Sequence, residues 1–92
     1  MQYMVIEKFK SGCLTRVYER YREKGRMLPN GLQYIDSWIA EDKSKCFQLM
    51  KTEEATLLEA WQRRWDDLVE FEIVPVWDSP TKAAKKSVNR QL

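Results

Sequence analysis

The stretch Gln2-Tyr3-Met4-Val5-Ile6-Glu7-Lys8-Phe9 (QYMVIEKF, residues 2–9) decides the fold. Its aromatic and β-branched side chains, with no glycine or proline among them, read as a strand. Strand side chains alternate between faces, so Met4 and Ile6 fall on one side and Tyr3, Val5 and Glu7 on the other. Three more stretches, Leu32 to Ala40, Lys45 to Lys51 and Val69 to Trp77, also read as strands, the last with Pro75 inside it. Taken in one register, the four segments collect Met4, Ile6, Ile35, Ile39, Phe47, Leu49, Phe71 and Ile73 on one face, interrupted only by Ser37. That apolar set predicts a face covered by helices. The other face collects Tyr3, Val5, Glu7, Tyr34, Asp36, Trp38, Cys46, Gln48, Met50, Glu70, Glu72, Val74 and Val76. Its mixture of aromatics, carboxylates and an amide predicts a partner surface or a pocket wall. Ser37 and Pro75 mark places where a strand can bulge.

Two helical patterns separate the strands. Leu14, Val17, Tyr18 and Tyr21 have the i, i+3, i+4, i+7 spacing of one helix face, and Gly25 supplies a stop before the Pro29 and Asn30-Gly31 turn. Thr52 reads as the N-cap of the second helix, with Glu53 and Glu54 in its first turn and Leu57, Leu58, Trp61, Trp65 and Leu68 as its buried stripe. Glu41 to Ser44 make a polar hairpin connection. The order strand, helix, strand, strand, helix, strand is that of an α+β, ferredoxin-like βαββαβ domain: a four-stranded antiparallel sheet with two helices on one face. Two helices cover only one side, so the mixed face would stand open, and a two-fold homodimer packing sheet against sheet is the simplest closure.

A chain of 92 residues makes one domain with a modest core, which a dimer interface would supplement. The reading divides it into a domain at 1–79 and a basic tail at 80–92. The tail carries Lys82, Lys85, Lys86 and Arg90 without an acid, against a slightly acidic remainder. It lacks the aromatic interleaving of a nucleic-acid motif and reads as a solvating or docking segment, helical through Ala83, Ala84 and Val88. No apolar run approaches a membrane span, and the strand pattern starts at the first residues without secretory features, which predicts a cytoplasmic protein. Cys13 and Cys46 are too few for a disulfide framework. With no histidine in the chain, a structural zinc set is not expected.

The strings YMVIEKF, VYERYREKGRMLPNGLQYIDSW, CFQLM and LVEFEIVPV together resemble a family of short, mainly bacterial proteins known as domain of unknown function 3303, from about Met1 to Val76. The resemblance implies the dimeric α+β barrel fold, whose superfamily includes cofactor-independent oxygenases, lyases, isomerases and ligand sensors. It carries no catalytic residues over to this chain.

The chemical inventory is narrow. Absence of histidine excludes Ser-His-Asp and Cys-His arrangements, and three glycines form no phosphate-cradling loop. Tyr3, Glu7, Tyr34, Asp36, Trp38, Gln48 and Glu72 are the candidate cavity or interface residues. They predict a homodimer that binds a small, largely apolar molecule in the barrel cavity, with no cofactor, metal, nucleic acid or membrane partner. The alternative is a cofactor-independent enzyme, of oxygenase, isomerase or lyase type, with Glu7, Asp36 or Glu72 as general base and Tyr34 or Gln48 orienting a substrate oxygen. The plainer reading has the same polar groups bonding across the dimer interface to fix its register. Cys46 reads as an inert buried thiol. Trp61 and Trp65 read as packing. The cluster Arg20, Arg22, Lys24 and Arg26, which could contact an anion, is interleaved with Glu19 and Glu23 and reads as a solvated face with local ion pairs, while Arg26 and Met27, just past the helix stop, could reach over a pocket mouth.

Overall fold

The computed structural model describes residues 1–82. Its elements are β1 (Gln2–Phe9), α1 (Leu14–Lys24), β2 (Gln33–Ile39), β3 (Lys45–Lys51), α2 (Thr56–Gln62) and β4 (Val69–Val76). The strands form one antiparallel sheet in the order β2-β3-β1-β4, an α+β arrangement compatible with the ferredoxin-like plan. A helical turn begins at Pro80, with Lys82 N–H donating to Ser79 Oγ at 3.2 Å. The helix expected through Ala83, Ala84 and Val88 lies outside the described residues.

The strands pair so that Val5 stands beside Gln48 and Ile73, and Ile6 beside Phe47 and Glu72. Both helices lie on the Val5 side. Val5, Met50, Leu58, Trp61, Trp65 and Leu32 form the core, with Tyr3, Val17, Phe71 and Ile73 packed against it. Trp61 meets Phe71 edge to face, with ring centroids 5.5 Å apart. Full burial of side chains such as Val5 and Met50 contributes about 1.5–3 kcal/mol each.

This arrangement corrects the face assignment. For β1 and β3 the two faces are exchanged: Tyr3, Val5, Glu7, Cys46, Gln48 and Met50 lie beneath the helices, and Met4, Ile6, Phe47 and Leu49 lie on the open side. Phe71 and Ile73 on β4 do face the helices, as expected, but they share that face with Val5 and not with Met4. On β2 a bulge between Tyr34 and Asp36 shifts the register. Tyr34, Ser37 and Ile39 align with the covered row, while Asp36 and Trp38 pair with Leu49 and Phe47 on the open side. Counting by two through an extra residue reverses every assignment beyond it.

The second helix is also later than Thr52 indicated. The Thr52 hydroxyl accepts from Glu54 N–H at 3.1 Å, capping a turn, and the helix proper starts at Thr56. Beyond Gln62 the chain continues in tight turns, Trp65 N–H to Gln62 O and Leu68 N–H to Trp65 O at 2.9 Å each. These carry the predicted stripe on to Trp65 and Leu68, both buried.

Candidate active or binding site

A cavity of about 330 Å³ lies between the sheet and the helices, floored by Glu7, Phe9, Cys46 and Gln48 and walled by Val17, Trp61 and Trp65. Its exposed lining residues, Tyr18 and Tyr21 on α1 and Trp38 and Ile39 on β2, place its mouth between that helix and the edge strand. The cavity explains why α1, despite its apolar stripe, contains no buried residue. Its inner face looks partly into a void instead of onto packed side chains.

Glu7 is 6% exposed and Gln48 7%, and they satisfy each other: Gln48 Nε2–H donates to Glu7 Oε1 at 2.7 Å. The partner strands β1 and β3 make this meeting possible, since Glu7 pairs with Cys46 and Gln48 is the next residue on that face. Burial raises the Glu7 carboxyl above its ordinary range, against the opposing effects of hydrogen bonds from Gln48 and Cys46 and of the Arg26 charge. Cys46 is pushed up to about 11 by burial and then by the charge and hydrogen bond of Glu7, so it stays a protonated thiol.

Arg26 completes the polar floor. It follows Gly25, which ends α1 at φ +66°, and the next residue, Met27, has φ +58°, so the chain turns sharply on both sides of it. Trp61 Nε1–H and Trp65 Nε1–H both donate to the Arg26 carbonyl, at 2.9 and 3.1 Å, and Arg64 donates to the Met27 carbonyl. The guanidinium lies 3.6 Å from the centre of the Tyr34 ring and 5.2 Å from that of Tyr21. Its Nε–H makes a long 3.4 Å contact to Gln48 Oε1, and Nη1–H donates to Tyr21 Oη at 3.3 Å. Arg26, Gln48 and Glu7 therefore form a chain from cation to carboxylate through one amide. The amide orientation follows from its neighbours, its oxygen toward the guanidinium and its nitrogen toward the acid.

The structure brings Glu7 and Gln48 into this cavity. Tyr34 backs the Arg26 guanidinium and shares a 2.6 Å hydrogen bond with Ser37, itself a lining residue. Tyr3 packs against the core on the same side. Trp38 is half-exposed and borders the mouth from the edge strand, although its register position belongs to the open face. Asp36 and Glu72 are exposed on that open face, away from the Glu7 carboxyl, and are not cavity bases. Sequence reasoning read Trp61 and Trp65 as packing only. Their indole nitrogens also hold the Arg26 segment, and Arg26 does not belong to the solvated face with Arg20, Arg22 and Lys24 as expected but lines the cavity; only its place just past a helix stop pointed there.

Among the described residues no group of histidine, cysteine, aspartate and glutamate is arranged to hold a metal ion, and no helix is long and apolar enough to cross a membrane. The model of a family described as Domain of unknown function (DUF3303) matches residues 1–88, and the chain belongs to that family. The match extends past Val76 into the basic tail, further than the quoted strings indicated. No curated protein and no solved structure matches the chain.

Proposed function

We propose that this family member binds a small, largely apolar molecule in the cavity between its helices and its sheet, and that it does so as a cytoplasmic homodimer closed through the open face of the sheet into an α+β barrel. The observation that carries the binding reading is the cavity itself: about 330 Å³, walled by aromatic and aliphatic side chains around one buried carboxylate and one guanidinium. Its size lies at the lower end of ligand pockets, roughly 300–1,000 Å³, and a mainly apolar wall with a few convergent polar groups is their usual composition. The site is thus on the helix side of the sheet, not between two sheets as the face assignment from sequence implied.

The open face supports the dimer. Leu49, Met4 and Val74 line up across the sheet beside a second row of Trp38, Phe47 and Ile6. Asp36 and Glu72 stand at the two edges, and Lys8, Lys45 and Lys51 lie toward the strand ends. An apolar centre with a charged rim is the anatomy of a protein interface, and a two-fold axis lets one face cover its own copy. Native mass spectrometry of the purified chain tests both parts. A dimer that carries additional small-molecule mass supports the proposal, and a monomer at micromolar concentration refutes the barrel.

A second reading, a cofactor-independent enzyme, is favoured by one observation: of the three carboxylates considered as bases, Glu7 alone is buried in the cavity, with its proton affinity raised by that burial. A carbonyl compound bound beside it would offer an acidic C–H to Glu7 and its oxygen to Arg26. Deuterium exchange at the α-carbon of a small ketone, lost in Glu7→Gln, would establish proton abstraction. No exchange above the buffer rate would leave Glu7 a binding group.

A further inference from the structure

Two charged side chains, Glu7 and Arg26, are present among the described residues that line the cavity, and they have opposite signs. Arg26 makes no ion pair within 4 Å among the described residues; its partners are the Gln48 oxygen, the Tyr21 hydroxyl and the two tyrosine rings. Those hydrogen bonds use two of its five N–H donors. Glu7 takes Gln48 on Oε1, and a carboxylate accepts further hydrogen bonds beyond that one and the Cys46 thiol. The cavity floor therefore presents spare donors at one end and spare acceptor capacity at the other. Gln48 already joins the two ends with a carboxamide, its oxygen to the guanidinium and its nitrogen to the acid. The protein thereby displays, in its own side chain, the kind of group that fits there.

We infer that the ligand is an uncharged, ring-sized apolar molecule whose polar edge carries a hydrogen-bond acceptor beside a donor, as in a carboxamide, a lactam or an enolised dicarbonyl. The acceptor takes N–H from Arg26, the donor gives its hydrogen to Glu7, and the apolar body lies against Phe9, Val17 and Trp61. An anion would gain Arg26 but face Glu7, and a cation would gain Glu7 but face Arg26. In a partly desolvated cavity either juxtaposition disfavours the charged ligand, because a buried charge needs a net partner. This inference rests on the cavity reading and adds the charge logic of the recognised class.

Benzamide, benzoate and benzylamine share one ring and differ in charge, and toluene supplies the ring without a polar edge. Binding of each to the full-length chain is followed by the fluorescence of Trp61 and Trp65 in the cavity wall, with calorimetry as the second readout. The expected ranking in the wild type places benzamide at least tenfold tighter than benzoate, benzylamine and toluene. In Glu7→Gln, which leaves Arg26 without a counter-charge, benzoate moves to the top by at least tenfold. In Arg26→Gln, benzylamine does so. Benzoate or benzylamine binding tightest to the wild type, or toluene binding as well as benzamide, would overturn the inferred class while leaving the cavity reading in place. Failure of all four probes at millimolar concentration would overturn the cavity reading and this inference with it. If a variant does not fold, judged by circular dichroism, the wild-type ranking alone decides.

Discussion

Gln48 donates to Glu7 across 2.7 Å of the covered face, and this bond makes a polar pair compatible with the layer beneath the helices. Removing the amide leaves a buried acceptor that has lost its best donor. Gln48→Ala is expected to cost about 1–3 kcal/mol at neutral pH, read by urea denaturation. Glu7→Gln should behave oppositely. The folded state holds the Glu7 proton more tightly than the unfolded state, whose value is near 4.5, so folding stability falls as pH rises through that range. The variant lacks this loss and should gain on the wild type between pH 4 and pH 7.5. A constant difference between the two proteins over that interval would contradict the assignment.

Cys46 should be slow to react. With its thiol pushed up to about 11 from 9.0, its thiolate fraction at pH 8 is roughly a hundredfold below that of an ordinary thiol. Mass spectrometry after brief iodoacetamide treatment should find Cys46 largely unmodified, and Glu7→Gln should accelerate its labelling. Rapid modification of Cys46 in the wild type would be inconsistent with a half-buried thiol hydrogen-bonded to Glu7.

Arg20 ties α1 to the turn before β4. Its two Nη atoms donate to Asp67 at 2.8 and 2.7 Å, one of them also to the Arg64 carbonyl at 2.9 Å, and its guanidinium lies over Trp65. The Arg20 hydrogen bonds hold Asp67 down to about 2 from 3.8. The stability is present above pH 3.8 and is lost as pH falls toward 2. Half of the Asp67 side chain is in water, so solvent screening limits the pair to about 1 kcal/mol or less. Asp67→Asn should lower stability by that amount at pH 7 in low salt and by only a small part of it at pH 2.

Phe47 lies in the middle of the open apolar face, beside Ile6 and Trp38. In the proposed dimer this face is the interface, so Phe47→Asp should shift the protein to monomer in size-exclusion chromatography with light scattering, while the far-ultraviolet spectrum stays that of the wild type. Burying an unpaired carboxylate in a self-complementary patch places two copies at one interface, so the cost is counted twice. An unchanged dimer would move the interface elsewhere.

Gly31 has φ +95°, and a β-carbon placed there would approach Leu57 Cδ1 to 2.9 Å. The left-handed backbone disfavours any side chain, and the contact forces the α2 leucine aside. Gly31→Ala should destabilise by roughly 1–3 kcal/mol in a thermal or urea melt. Gly12, at φ +73° with open space around it, should tolerate alanine better, at the cost of the backbone conformation alone.

The sequence by itself determined the element order, the four strands nearly to the residue, both amphipathic stripes and the restricted chemical inventory. These depend on local periodicity and on which residue types are present, and neither requires knowledge of a neighbour. It also singled out Glu7 and Gln48. The tertiary structure decided which face the helices cover. Counted by hydrophobicity, Met4, Ile6, Phe47 and Leu49 outrank Tyr3, Val5, Glu7, Cys46, Gln48 and Met50, so a one-strand reading buries the first set. Strand pairing reverses that ranking, because it places Gln48 within hydrogen-bond distance of Glu7 and so lowers the cost of burying both. The bulge after Tyr34 is equally invisible locally, since it exists only relative to the β3 ladder. Arg26 belongs to the site for the same reason: its carbonyl is held by two indoles 35 and 39 residues away and its guanidinium by a tyrosine on another strand, contacts that sequence spacing does not encode.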